Sequence, residues 1–261
     1  MSNRTISAEA IADLERRKVP VPVSGVAMDL PARTSVELHR HDNGQLVFSS
    51  SGVMAVDVGH GKWVLPPQRA MWIPAPIEHR LVTLTSVSLR NLLISDSISG
   101  SLPTTCSALR VSGLLRELII RLAEEPEQIA TDTQRQAINT LLFEELRDFS
   151  DGPVFLPQPT SERMQRVCEA LMENPADVRP LEYWASVAAV SSRTLARMFM
   201  RETGMSFAMW RRQLRLIESL ALLGQGESVT NVALDVGYES TSAFIEAFKK
   251  TFGETPARYF C

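Results

Sequence analysis

YWASVAAVSSRTLARMF, residues 183–199, comes back as NVALDVGYESTSAFIEAF, residues 231–248. Ala185 aligns with Ala233, Ala189 with Gly237 and Ser192 with Ser240 at an offset of 48; Phe199 aligns with Phe248 at 49, after one inserted residue. Each copy reads as a short helix, a tight turn and a second helix. Two helices crossing at about 90–120° need a small side chain where they approach, and Ala185 and Ala233 supply it. Gly237 suits the turn because glycine reaches positive φ at little cost. Ser191 or Ser192, and Glu239–Ser240 in the second copy, are placed to cap the second helix. Leu195 and Phe199, like Phe244 and Phe248, are spaced i,i+4 and must face the core.

The opposite faces are polar. Arg193, Thr194, Arg197 and Arg201 line one helix, the three arginines forming a stripe; Thr241, Ser242, Glu246 and Lys249 line the other. Between the copies, MWRRQLRLIESLALLGQGES (209–228) reads as one amphipathic helix ended by Gly224 and Gly226. A single helix-turn-helix signal also fits a helical scaffold or a protein–protein adaptor. Two matched copies joined by a helix point to DNA. Overall charge gives no such hint. The chain carries −3, and residues 160–261 hold 12 Lys+Arg against 12 Asp+Glu. A reader of nucleic acid with that balance must rely on a local stripe.

The segments SSRTLARMFMRETG, ETGMSF, RRQLRLIESLALL and VTNVALDVGYESTSAFIEAFKKTFGETPARYF resemble the C-terminal DNA-binding domain of the AraC family of bacterial transcription regulators, over about residues 160–261. The resemblance implies two recognition helices in successive major grooves of double-stranded DNA. It implies base-edge contacts from Arg193, Ala196 and Arg197 in the first helix, and from Thr241, Ser242, Ile245 and Glu246 in the second. Arginine reads guanine bidentately, hydroxyls read either partner, and an apolar side chain touches the thymine methyl. Glu246 departs from the family, where a basic or neutral residue is usual. A carboxylate accepts from cytosine but repels phosphate, so the first helix is expected to carry more of the binding energy. The expected DNA-facing set is Ser192, Arg193, Thr194, Ala196, Arg197 and Arg201, then Ser240, Thr241, Ser242, Ile245, Glu246 and Lys249. Lys249, Lys250, Arg211 and Arg212 are candidates for phosphate contacts, which position without specifying. For each of these four, a solvated helix face is the plain alternative.

The front of the chain has a different texture. From about 31 to 96, short β-rich runs such as GVMAVDVG (52–59) and HRLVTLTSVSLRNLLIS (79–95) are punctuated by glycines and prolines, the pattern of a sandwich or barrel. From about 107 helical periodicity takes over. Apolar residues at 111, 114, 115, 118, 119 and 122 mark one helix, and TDTQRQAINTLLFEELRDF (131–149) marks a second, with Thr131 or Asp132 as N-cap. DGPVFLPQPT (151–160) reads as a linker. The expected domains are a sensor at 1–106, a helical dimerisation segment at 107–150, a linker at 151–159 and the DNA-binding domain at 160–261. Leu114, Leu115, Leu118 and Leu122 form the stripe expected to join two copies as a homodimer. The alternative is that the stripe packs against the β domain of its own chain.

Only four histidines are present, and ELHRHDNGQLVF (37–48) holds two. In a strand, i and i+2 share a face, so His39 and His41 project side by side. A metal, a polar ligand or plain surface would each account for that. HRHDNGQ, together with PAPIEH (74–79), is similar to the two motifs of a cupin domain, a small β-barrel common at the front of such regulators. The resemblance implies that His39, His41 and His79 converge. Gln45 stands where metal-binding cupins carry a glutamate, as a weaker oxygen donor, and Pro76 stands where glycine is usual. Three imidazoles suit a divalent transition metal: zinc, iron, nickel or copper. They also suit an organic effector in a mostly apolar pocket, or a barrel interior satisfied by its neighbours. His60 in GHGK reads as surface turn, and Trp63, Met71 and Trp72 as core.

The expected fold is therefore α+β in two domains: an N-terminal cupin-like β-barrel with helices, and a C-terminal all-α domain with two helix-turn-helix units. The expected function is a sequence-specific transcription regulator whose front domain senses a small molecule or metal. Its partners would be operator DNA, the effector, a second copy and, for an activator, RNA polymerase. A cupin metalloenzyme fused to a helical domain is the alternative, but it leaves the last hundred residues unexplained, and no P-loop, dinucleotide fingerprint or nucleophile elbow is present. No apolar run approaches the ~20 residues that span a bilayer, and the start lacks the apolar core of a secretion signal. Cys106, Cys168 and Cys261 match no zinc spacing and no disulfide framework. A bacterial cytoplasm is the expected compartment.

Overall fold

The computed structural model describes residues 4–11, 22–59, 61–129, 131–150 and 154–260; His60, Cys261 and residues 151–153 of the expected linker lie outside them. The chain forms two compact units, residues 1–59 with 64–154, and residues 60–63 with 155–261.

The strands of the first unit are β1 (Arg4–Ile6), β2 (Val23–Leu30), β3 (Thr34–His39), β4 (Gly44–Ser51), β5 (Met54–Val58), β7 (Arg69–Ile73), β8 (His79–Thr83), β9 (Val87–Ile94), β10 (Ser107–Arg110) and β11 (Phe149–Ser150); β6 is Gly61–Leu65. One sheet runs β1-β3-β8-β5, and the other runs β11-β10-β7-β4-β9-β2. Alternation assigns the faces of the second sheet. Leu46, Phe48, Trp72, Leu92 and Ile94 point to a core closed by helices α1 (Gly113–Glu124) and α2 (Asp132–Glu145). Gln45, Leu89 and Asn91 fall on the other face, and with Val36, His39, His79 and Leu81 of the first sheet they line a cavity. Met71 and Trp72 are buried, as expected of core residues.

Ser112 caps α1 by accepting from Leu115 N at 3.0 Å, and Thr131 caps α2 by accepting from Gln134 N at 3.2 Å. Helix α1 lies directly on β2. A Cβ on Gly25 would come within 2.3 Å of the Leu122 carbonyl oxygen and 2.4 Å of Ala123 Cα. Arg90 of β9 locks this layer by reaching Asp29 of β2 at 3.1 Å and Glu124 of α1.

Three expectations change here. Leu115, Leu118 and Leu122, assigned to a dimer interface, are buried within their own unit, and Leu115 and Leu122 belong to its core. Each buried leucine contributes about 1.5–3 kcal/mol, which exposure for a partner would forfeit. Of the four, only Leu114 remains accessible, at 47%, with Leu141 of α2 at 46%. Ser107–Arg110 and Phe149–Ser150, the two ends of the segment expected to be helical, are strands β10 and β11, which pair with each other, and β10 also pairs with β7 from Ser107↔Trp72 to Arg110↔Arg69. Part of the expected linker, Phe155–Pro157, is strand β12, paired antiparallel with residues 61–63 in the second unit, where Trp63 and Phe155 stack at 4.5 Å.

The helices of the second unit are α3 (Glu162–Glu173), α4 (Leu181–Val187), α5 (Ser192–Thr203), α6 (Phe207–Gly224), α7 (Val229–Asp235), α8 (Thr241–Phe252) and α9 (Pro256–Tyr259). The repeat is visible in the caps of the second helix of each copy. Ser191 and Ser240 accept from Thr194 N and Ala243 N, both at 3.2 Å, and open α5 and α8. Gly204 and Gly253, at φ 70° and 89°, close them. The counterpart of Ser240 is thus Ser191, and Ser192 is the first helical residue. The inserted residue lies inside the turn, between Gly237 and Ser240, so the offset is already 49 at the cap. Leu195, Phe199, Phe244 and Phe248 are fully buried.

The two turns differ in strain. Gly237 sits at φ 82°, and its counterpart Ala189 sits at φ 54°. A left-handed conformation costs a residue bearing a Cβ roughly 1–2 kcal/mol, partly offset by the lower unfolded-state entropy of alanine. Ala189→Gly should therefore raise stability by about 0.5–1 kcal/mol, read as a higher urea midpoint at unchanged slope. A lower midpoint would show that the turn is not strained.

Candidate functional site

The histidines are assembled by a β-bulge. Strands β3 and β8 pair as Ser35↔Val82 and Val36↔Leu81, then shift by one residue to His39↔His79. Without the extra residue, Leu38 would face His79. A one-residue slip exchanges the faces of a strand, so the bulge turns His39 onto the face of His79. Strand β3 ends at His39, and His41 arrives from the turn that follows. The three ring centroids are 4.4 to 5.1 Å apart, and the candidate ligand nitrogens all lie within 4.8 Å of one another. His41 and His79 are buried.

Two of the rings are oriented alike. His39 Nδ1 lies 2.6 Å from the Glu37 carbonyl oxygen, and His79 Nδ1 lies 3.1 Å from that of Ile77. A carbonyl only accepts, so each Nδ1 carries a proton, and in the neutral ring Nε2 is the nitrogen left for a ligand. Backbone carbonyls hold metal-binding imidazoles in the same way. Burial, and then the adjacent His39, push the His79 pKa down to about 3, so its ring is neutral at ordinary pH. Gln45 lines the same cavity, and its Oε1 is buried without a hydrogen-bond partner. The cavity measures about 30 Å³, room for an ion or a water or two.

The structure thus brings together His39, His41, His79 and Gln45. The two aligning carbonyls and Asn91 were not foreseen. Asn91 sits in NLLIS, a run that reads as apolar strand, and nothing local marks it as cavity-lining.

In the second unit, Arg193, Ala196, Arg197 and Arg201 are exposed on α5, with Ser192 and Thr194 half-buried; Ser242, Glu246 and Lys249 are exposed on α8 and its cap Ser240 is exposed, with Thr241 and Ile245 half-buried. Arg201 is engaged with Glu202 at 3.1 Å. Glu202 in turn accepts from Ser161 N at 3.0 Å and Ser161 Oγ at 2.9 Å, tying the end of α5 to the start of α3.

A helix-turn-helix domain model matches residues 184–260. The HTH-type transcriptional regulator NimR of Escherichia coli is 37% identical over 222 residues, which cover 85% of this chain and 81% of NimR. This chain belongs to the AraC family of helix-turn-helix transcription regulators. The thermoregulatory protein LcrF of Yersinia pestis is 26% identical over 243 residues, covering 87% of this chain and 83% of LcrF. Among solved structures, unsaturated fatty acid-bound ToxT of Vibrio cholerae is 12% identical with a TM-score of 0.39, covering 94% of this chain and 96% of ToxT. Membership makes the chain a DNA-binding regulator and sets aside both the enzyme and the adaptor readings. No helix among the described residues is long and apolar enough to cross a membrane.

What holds the DNA-binding unit in one shape is a residue the sequence did not single out. Arg215 of α6 donates Nε to the Pro175 carbonyl, Nη1 to that of Gly237 and Nη2 to that of Asp177, each at 2.9 Å. Gly237 makes the approach possible, since a Cβ there would meet Ala176 Cα at 2.7 Å and Arg215 Cζ at 3.1 Å. Arg215→Met keeps the apolar stem and removes all three donors. It should lower the unfolding free energy of this unit by about 2 kcal/mol or more, measured by urea denaturation. An unchanged midpoint would show that water replaces the guanidinium without loss.

Proposed function

We propose that this chain is a metal-responsive regulator: His39, His41 and His79 hold a divalent transition metal, and α5 and α8 read operator DNA. The observation that carries the sensor half is the pair of Nδ1–carbonyl contacts at His39 and His79, which occupies two Nδ1 atoms and leaves Nε2 as the ligand atom of each ring within a three-imidazole cluster. The buried Oε1 of Gln45 adds a neutral donor on the same cavity. A cavity of about 30 Å³ favours an ion over an organic effector, whose pockets usually run to about 300–1,000 Å³. A bound metal would supply positive charge to the site and bind each imidazole only in its unprotonated form. It changes DNA binding only to the extent that it binds one arrangement of the protein more tightly.

Arg193 and Arg197 are exposed on α5, and among the described residues no carboxylate engages either, which supports them as guanine readers. Glu246 on α8 keeps that helix the weaker contributor. The accessible Leu114 and Leu141 support a homodimer joined through the outer side of α1 and α2, and RNA polymerase is the further partner if the protein activates.

Metal analysis of protein purified without chelator or histidine tag should find close to one transition-metal ion per chain. A folded His39→Ala/His79→Ala variant should lose it; equal metal in both, or none in either, overturns the sensor assignment. On DNA, Arg197→Ala should cost about 1–3 kcal/mol and relax preference at one base pair. Unchanged affinity and base preference would remove α5 as a reader.

A further inference from the structure

A groove of about 450 Å³ opens in the second unit where the first turns of α6 pass the start of α4 and the turn before α8. Pro180, Leu181, Phe207 and Ala208 give it apolar walls; Arg211, Arg212, Arg215 and Tyr238 supply the polar ones, and no carboxylate lines it. The four polar residues are not equivalent. Arg215 is committed to its three carbonyls. Arg211 donates one N–H to the Arg179 carbonyl at 2.8 Å and sits 5.6 Å over the Phe207 ring. Arg212 stands exposed. The Tyr238 hydroxyl is buried, and its close polar neighbour, Arg212, meets it too loosely for a hydrogen bond of good geometry. Burial pushes its pKa up, against the downward pull of Arg212 and Arg215 beside it. Asp177, whose charge acts on Arg211 and Arg215, is occupied by Arg179 at 2.6 Å.

We propose that this groove binds a free organic oxyanion, a phosphate or carboxylate carried on an apolar body. Arg212, the remaining N–H groups of Arg211 and the Tyr238 hydroxyl form a donor set for the oxyanion. Charge-assisted hydrogen bonds of this kind are about twice as strong as neutral ones. The walls of Phe207, Leu181 and Pro180 take the apolar body. A backbone phosphate of DNA would use the arginines and leave those walls idle, whereas an aryl or alkyl anion uses both. The volume lies in the usual range for small organic ligands, some fifteen times that of the histidine cavity. Tyr238 stands two residues before Ser240, the cap of α8, so an occupant touches the segment that sets the second recognition helix.

The test uses full-length protein and phenyl phosphate as probe, with inorganic phosphate and phenol alongside, by titration calorimetry. Phenyl phosphate should bind saturably, at least about tenfold tighter than inorganic phosphate or phenol. Arg212→Gln should weaken it by at least about fivefold, and Tyr238→Phe by a smaller factor, with far-UV circular dichroism unchanged in both. Equal binding of phenyl phosphate and inorganic phosphate would assign the arginines to the DNA backbone and overturn the proposal. So would the absence of saturable binding, or binding that neither substitution changes. None of these outcomes bears on the histidine cluster or on DNA reading by α5, which have their own readouts.

Discussion

One guanidinium ties the two helix-turn-helix units to each other. Arg215 lies on the helix that joins them. It binds Pro175 and Asp177 on the approach to the first helix-turn-helix and Gly237 in the turn of the second. Recognition helices that address successive major grooves must stay about 34 Å apart and in phase with the duplex. Hydrophobic packing alone leaves helices free to slide by fractions of a turn, because it is non-directional. Three directed hydrogen bonds from a planar group do not allow that. The absence of a side chain at Gly237 lets the turn come close enough to be held, so this glycine serves close approach as well as backbone conformation.

The DNA-binding half was legible in the sequence because its determinants are local. Small residues at the helix crossing, serine caps and i,i+4 aromatics all act within a few positions, and the duplication reinforces each signal. Ser191 was one of the two serines offered as the first cap, but the alignment of Ser192 with Ser240 slipped where locality fails: one inserted residue in a turn has no periodicity to locate it. Arg215 was invisible for the opposite reason. Its partners are backbone carbonyls 38, 40 and 22 residues away, and backbone carbonyls carry no sequence signature.

The front half was legible in part. The histidine spacing led to the right cluster by an incomplete route. Alternation along a strand predicts that His39 and His41 share a face, whereas the structure relies on a bulge in β3 and a turn after it. The leucine stripe of α1 shows a different limit. Helical periodicity reveals that a face is buried but not what buries it, and here the sheet of the same unit does. The polar face of the second sheet, with Gln45 and Asn91 among apolar neighbours, could be recognised only once β4 and β9 were seen to lie side by side.

Helix α6 is 18 residues long, which at about 3.6 residues per turn is close to five whole turns and some 27 Å of rise. It therefore works as a ruler with an angular as well as a linear scale. Deleting a single residue would shorten it by only about 1.5 Å but would rotate everything beyond it by about 100°. That would change the angle between the two helix-turn-helix units and break the hold of Arg215 on one side or the other. Substitutions along the exposed side of this helix are cheap, and changes in its length are not. The position of one helix-turn-helix unit relative to the other is thus set by the residue count of one helix.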